Sequence, residues 1–142
     1  MKIVRIERNE EEICIAKIHI SDPESLLEIL DETMQAVSVE CWEEVAFATL
    51  LALRAFKNGR AKAKTVKGEI LIRLAGTPQI RDAIAKVGAR RGKNYLVAFG
   101  KGACEKLKDV IQKLKLDTVP ISNCAEEELK KRFEEMALVE AK

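Results

Sequence analysis

Gly100-Lys101-Gly102 stands between an apolar run and a helical pattern, the setting in which backbone amides and a lysine cradle phosphate. Neither G-x-x-x-x-G-K-[S/T] nor G-x-G-x-x-G is complete around it, so a plain strand-to-helix turn is the simpler reading. His19 is the only histidine; it occupies an alternating position of a strand pattern and lacks the partner motif that nucleophilic catalysis requires. Glu126, Glu127 and Glu128 open a helical stretch, where negative side chains complement the positive helix end without any catalytic role. Cys14, Cys41, Cys104 and Cys124 are scattered with no C-x-x-C pair, so the close ligand pairs of a tetrahedral zinc site are missing. Four buried free thiols, no metal and no cofactor are expected. Disulfides are the alternative in a heat-adapted protein, toward which the charge-rich, Gln-poor and Asn-poor composition leans. No active site emerges, and the chain is not expected to be an enzyme.

The charges are informative by position. Residues 1 to 44 carry four basic and twelve acidic side chains, whereas residues 54 to 93 carry twelve basic and two acidic ones, so that a formal net charge of +2 conceals a middle segment at +10. Such a segment is the footprint of a polyanionic partner if its charges meet on one face. The competing reading is that folding interleaves them with the acidic N-terminal third. The longest uncharged stretch, Val45 to Leu53, is too short to cross a bilayer, and the first residues form no signal peptide. A soluble, cytoplasmic protein of one domain, residues 1–142, is expected.

The elements that must position these residues follow from periodicity. Lys2 to Ile6 and Ile13 to Ile20 alternate around Asn9-Glu10, as a hairpin does. Ser21 is placed to cap an acidic-backed helix from about residue 22 to 34, and Ser38 to cap a second, Cys41 to Phe56, whose VAFATLLAL core is apolar all round. Asn58-Gly59 ends it. Arg60 to Lys67 has no apolar stripe and is expected as a basic surface loop. A helix through Ile70, Leu71, Leu74 and Ala75 then stops at Gly76; Thr77 and Pro78 start another, with Ile80, Ala83, Ile84 and Val87 inward and Gly88 at its end. Asn94 to Phe99 reads as a buried strand, Ala103 to Leu116 as a helix, VPISN as a turn, Glu126 to Phe133 as a helix, and Met136 to Val139 as a last short strand. The order predicts an α+β fold with a mainly antiparallel sheet, made of the N-terminal hairpin, a central strand and the C-terminal strand, covered by helices.

The helix-stop-helix at residues 69 to 88 has the outline of a DNA-reading motif. Its second helix, however, offers only Gln79, Arg81, Asp82 and Lys86 outward, too few for base edges, and the other charges flank the unit, where backbone phosphates are the better target. The stretches FATLLALRAF, KTVKGEILIRLAG and TPQIRDAIAKVGAR resemble the signature of the PRPK-binding protein family (TPRKB), the small kinase-binding subunit of the KEOPS/EKC complex. Glu69, Ile70, Leu71, Leu74, Gly76, Thr77, Ile80, Ala83, Ile84 and Gly88 carry the match, which is strongest over residues 45 to 91.

The resemblance implies a non-enzymatic accessory subunit that binds the complex's small atypical protein kinase and supports threonylcarbamoylation of the tRNA adenosine beside the anticodon. It also implies a hold on the single-stranded CCA end of tRNA. Expected RNA contacts are Lys64, Lys67, Arg90, Arg91, Lys93 and Lys101, with Arg73 and Arg81 on the helices and the backbone of the Gly76-Thr77 junction. Tyr95 and Phe99 are the aromatic residues nearest to these for base stacking. Kinase contact is expected on apolar residues that a helix pair leaves exposed. Two other readings compete: a small-molecule-binding regulatory α+β domain using the Gly100–Gly102 turn for an anion, and an oligomeric scaffold, a homodimer in isolation, built on VAFATLLAL.

Overall fold

The computed structural model describes residues 3–8 and 11–142. Strand β1 (Ile3–Arg8) pairs antiparallel with β2 (Glu11–Ile20) from Ile3↔Ala16 to Arg8↔Glu11; the hairpin is as expected, while Lys2 and the Asn9-Glu10 turn lie outside the described residues. Chain order continues with α1 (Pro23–Ile29), β3 (Met34–Val37), α2 (Trp42–Lys57), α3 (Val66–Ala75), α4 (Ile80–Val87), β4 (Gly92–Phe99), α5 (Ala103–Lys113), β5 (Asp117–Val119) and α6 (Glu126–Ala137), then a 3-10 turn, Leu138–Ala141. The sheet order is β1-β2-β4-β3, and β5 pairs with the outer edge of β2 beyond the reach of β1. Every pairing is antiparallel. The fold is α+β.

Alternation divides the sheet between two cores. Ile13, Ile15, Val37, Tyr95, Val97 and Phe99 face α2, α3, α4 and α6. Cys14, Ala16, Ile18, Ile20, Met34, Ala36, Leu96 and Ala98 face α1 and α5. In α2 the small side chains Ala48, Thr49, Ala52 and Ala55 are fully buried. Phe47, Leu50 and Leu51 remain half-buried around them, with Phe47 stacked on Phe133 of α6 at 4.1 Å. Thus α2 buries its small side chains against the core and leaves its large apolar ones partly covered.

Several expectations fail for identifiable reasons. The first helix is shorter: Asp22, not Ser21, caps it through Ser25 N, Leu30 is already extended, and Asp31 accepts Thr33 N in a tight turn. The residues thereby freed, Met34–Val37, alternate between the two cores and complete the sheet beside β4. Cys41, not Ser38, precedes α2. The expected last strand is absent: α6 runs to Ala137, and Met136 and Val139, three residues apart, both enter the core, which suits a helical period and not an alternating one. The edge strand is instead Asp117–Val119. The cysteines are not free. Cys14 bonds Cys104, and Cys41 bonds Cys124, each pair joining segments more than eighty residues apart in sequence.

Candidate nucleic-acid and partner interface

The loop between α2 and α3 is held by a buried carboxylate. Glu69, one turn into α3, accepts Lys62 N and Ala63 N through Oε1, each at 2.8 Å, and Arg73 Nε through Oε2 at 2.8 Å. Arg73 reaches Glu140 Oε1 at 3.2 Å, and Glu140 lies 4.0 Å from Arg60. The Arg73 side chain is 0% exposed, and its Nη1 has no hydrogen-bond partner among the described residues. A side chain so enclosed has no surface to offer RNA, contrary to expectation, and belongs to the scaffold that fixes the basic loop. With the loop backbone tied down, Lys62 and Lys64 project into solvent.

The helix pair presents an unexpected face. Ala83 and Val87 are buried as expected, but Ile80 and Ile84 are 43% and 53% exposed, because the eight-residue α4 turns only part of its stripe to the core. Gly68 allows Ile80 to lie against the loop: a Cβ there would stand 3.3 Å from Ala63 Cβ and 3.7 Å from Ile80 Cδ1. The result is an apolar ridge, Ile80 and Ile84, whose Ile80 end meets the loop near Gly68 and Ala63, the residue between the exposed Lys62 and Lys64, with Arg81 exposed on the same helix. Sequence periodicity counts the two isoleucines as core. Their proximity to the lysines depends on the loop's return to Gly68, which spacing does not reveal.

The amides of the Gly76-Thr77 junction are already committed within the fold. Gly76 is left-handed (φ 72°), both Gly76 N and Thr77 N donate to Ile72 O, Gly76 O accepts Lys142 Nζ at 2.7 Å, and the Thr77 hydroxyl accepts Gln79 N. Tyr95 and Phe99 are buried; the Tyr95 hydroxyl exchanges hydrogen bonds with the Ser122 backbone. Neither ring can stack on a base.

The remaining cations fall into two places. Lys67 is half-buried and donates to Asp31 O at 3.3 Å, at the end of the sheet where Lys101 is exposed and Phe99 N meets Thr33 O. Arg90, Arg91 and Lys93 lie at the opposite end of β4 (Gly92–Phe99), which at about 3.3 Å per residue is roughly 26 Å from Gly100. Arg90 is folded back onto the α4 carbonyls of Ala85 and Lys86, a C-terminal cap that also satisfies the helix dipole. Arg91 shares a shallow groove with Asp22 and Glu24 of the acidic N-terminal third. The +10 segment is therefore dispersed in space.

The turn at Gly100–Gly102 is occupied from within. Glu12 Oε1 accepts Cys104 N at 2.8 Å, so the start of α5 already holds a carboxylate. His19 lies exposed on β2 between Lys93 and Asp117. Lys17, on the same strand, is held below the ordinary lysine range by burial and by repulsion from Lys93; its ammonium donates to Ser122 Oγ at 2.7 Å. These are fixtures of the fold. Among the described residues, no helix is long and apolar enough to cross a membrane.

The chain matches the model of the family described as kinase binding protein CGI-121 over residues 35–138, from β3 through α6 and across the loop, ridge and helix pair. The chain belongs to the CGI-121 kinase-binding protein family. A curated relative, the KEOPS complex subunit Cgi121 of Pyrococcus abyssi (strain GE5 / Orsay), is 48% identical over 132 residues, which cover 91% of this chain and 77% of that protein. The resemblance carried by residues 45 to 91 is thus borne out. Within the CGI-121 family model fall Glu69, Arg73, Ile80 and Ile84, whereas β1, β2 and α1 lie before it.

Proposed function

We propose that this chain is a non-catalytic, cytoplasmic subunit of a KEOPS-type tRNA-modifying assembly. In this reading it binds the assembly's small atypical protein kinase and the single-stranded CCA end of tRNA, in support of threonylcarbamoyladenosine formation. The family and the Pyrococcus relative support the kinase and the complex. For the RNA, the observation that carries the reading is the exposed Ile80–Ile84 ridge beside the clamped lysine loop. An unpaired RNA end needs a cationic track for its phosphates and an apolar surface for its bases. This ridge supplies both at one place.

Lys62, Lys64 and Arg81 then take phosphates, the isoleucines take base faces, and Arg90, Arg91, Lys93 and Lys101 contribute only long-range attraction. The test measures tRNA affinity against salt for wild type, K62E/K64E, I80S/I84S and R90E/R91E. The first two variants weaken binding, K62E/K64E also lowers the log–log salt slope by about 0.7 for each single-strand phosphate no longer neutralised, and removal of the CCA end abolishes the difference. Unchanged affinity in both variants overturns the RNA assignment. Co-purification with the cognate kinase is measured in parallel; loss of the kinase from I80S/I84S with RNA affinity intact reassigns the ridge to the kinase.

A further inference from the structure

The two disulfides have different surroundings. Beside Cys14–Cys104 stand Glu12, already bound to a backbone amide, and the exposed Glu105. Around Cys41–Cys124 stand four: Glu40, Glu44 and Glu128, and also Glu43, which like Glu12 is bound to a backbone amide, that of Cys124. One sulfur each from Cys41 and Cys124 and one oxygen of Glu44 lie within 4.8 Å of one another, as do those of Glu40, Cys124 and Glu128. Each cysteine thus brings a glutamate at helical spacing, Cys41 with Glu44 and Cys124 with Glu128. The buried Glu44 carboxylate is already aimed: Oε2 stands 3.3 Å from Cys41 Sγ and 3.9 Å from Cys124 Sγ, while Oε1 is held by Arg132.

We propose that Cys41 and Cys124, once reduced, form with Glu44 and a carboxylate of Glu40 or Glu128 a four-ligand site for a zinc-class divalent cation. Two thiolates and two carboxylate oxygens are within zinc's ligand range, and thiolate disfavours calcium or magnesium. Charge argues the same way. Among the described residues, Arg132 alone pairs with Glu40, Glu44 and Glu128, with Nη2 at 3.1 Å from Glu40 and 3.9 Å from Glu128, so the carboxylates around the pair outnumber the cations bound to them. Lys131 and Lys86 border the adjoining cleft but make no ion pair with these three carboxylates.

The site survives opening of the disulfide because other bonds hold its two halves together. Trp42 N donates to Ser122 O at 3.1 Å, Trp42 Nε1 to Asn123 Oδ1 at 2.6 Å, and Cys124 N to Glu43 Oε1 at 3.3 Å. The chemistry balances with an external dithiol. The dithiol gives two electrons and two protons to the Cys41–Cys124 bond and becomes a cyclic disulfide, leaving two protein thiols. The divalent ion then displaces those two protons. Cys124 is the sulfur open to attack, being half-buried where Cys41 is fully buried. The departing Cys41 thiolate sits at the start of α2, where the helix dipole acts against the repulsion from the Glu44 carboxylate.

The test titrates Co2+, then Zn2+, into the full chain, first oxidised and then reduced anaerobically by a dithiol removed before titration. The expected result is one Co2+ per chain in the reduced protein, with thiolate-to-cobalt absorption in the near ultraviolet that Zn2+ bleaches, and none in the oxidised protein. The variant E40Q/E128Q binds at least about tenfold more weakly, and C41S/C124S shows no such absorption. Absence of the band in the reduced wild type, or its persistence in C41S/C124S, overturns the proposal. The oxidised wild type remains a folded control if the serine variant fails to fold.

Discussion

Replacing Glu69 with alanine deletes in one step the acceptor of two loop amides and a partner of a fully buried guanidinium. Arg73 is then left with Glu140, a third of whose side chain faces solvent, and with an Nη1 that already has no partner among the described residues. Removing one member of a buried pair costs about 3–5 kcal/mol, most of it the penalty of the charge left behind. The freed amides of Lys62 and Ala63 belong to a surface loop and recover water, so they add little. Against a total stability of roughly 5–15 kcal/mol, E69A lowers the urea midpoint substantially. R73M strips the charge from the other side, and Glu69 keeps its two amide donors. The double variant E69A/R73M leaves no fully buried charge in this network and is therefore more stable than the sum of the single losses predicts, by at least about 2 kcal/mol. Urea unfolding with the disulfides intact and a shared m value gives all four corners of the cycle. Trypsin supplies an independent reading: cleavage after Lys62 and Lys64 accelerates in E69A, which frees the loop amides, more than in R73M, which does not. Additive losses, or an E69A loss below about 1 kcal/mol, would refute the clamp.

Two further outcomes follow from local geometry. Asp31 is held below the ordinary 3.8 by the Thr33 hydroxyl and then by the Thr33 amide. A carboxyl depressed in the folded state stabilises above its unfolded value and loses that contribution as pH falls through the folded one. T33V should therefore raise the Asp31 carboxyl pKa in a carbon-detected NMR titration and flatten the acid-side loss of stability; an unmoved titration would deny the hydroxyl its role. Gly88 has an ordinary φ of −62°, but a Cβ there would stand 2.5 Å from Ile84 O, the carbonyl that Gly88 N itself binds at 2.9 Å. G88A should cost about 1–3 kcal/mol by forcing the last turn of α4 aside, and a change within about 0.5 kcal/mol would show that the turn yields freely.

Where the fold is legible in the sequence, the signal is local. The β1–β2 alternation, the Asn58-Gly59 and Gly76 stops and the apolar run of β4 are each decided within a few residues, and the structure keeps them. The errors fall where a partner distant in sequence decides. Met34–Val37 is a strand because β4 has a vacant edge, not because MQAV favours extension. Tyr95 reads as a stacking residue because its burial, and its bond to Ser122, depend on a loop 27 residues away. The +10 segment promises one basic face, yet Arg90 caps a helix, Arg91 lies with Asp22, and Arg73 is interior.

Arg73 also shows which signal is present and easily passed over. An arginine inside an otherwise apolar helix, with a glutamate four residues before it, is the pattern of an internal ion pair, and Glu69-x-x-x-Arg73 states it plainly. The same spacing logic applies to sulfur. A search for C-x-x-C dismisses metal binding here, because a zinc site's thiolates commonly arrive in one short segment. When a thiolate instead stands at or just before a helix start, with a carboxylate three or four positions along, as in Cys41-x-x-Glu44 and Cys124-x-x-x-Glu128, each half is an unremarkable cysteine near an acidic residue. The junction of α2 with the segment before α6 makes the two halves one cluster. Ligand spacing within a segment is thus only half of a metal signature; the other half is the tertiary contact, here fixed by Trp42, Ser122 and Asn123.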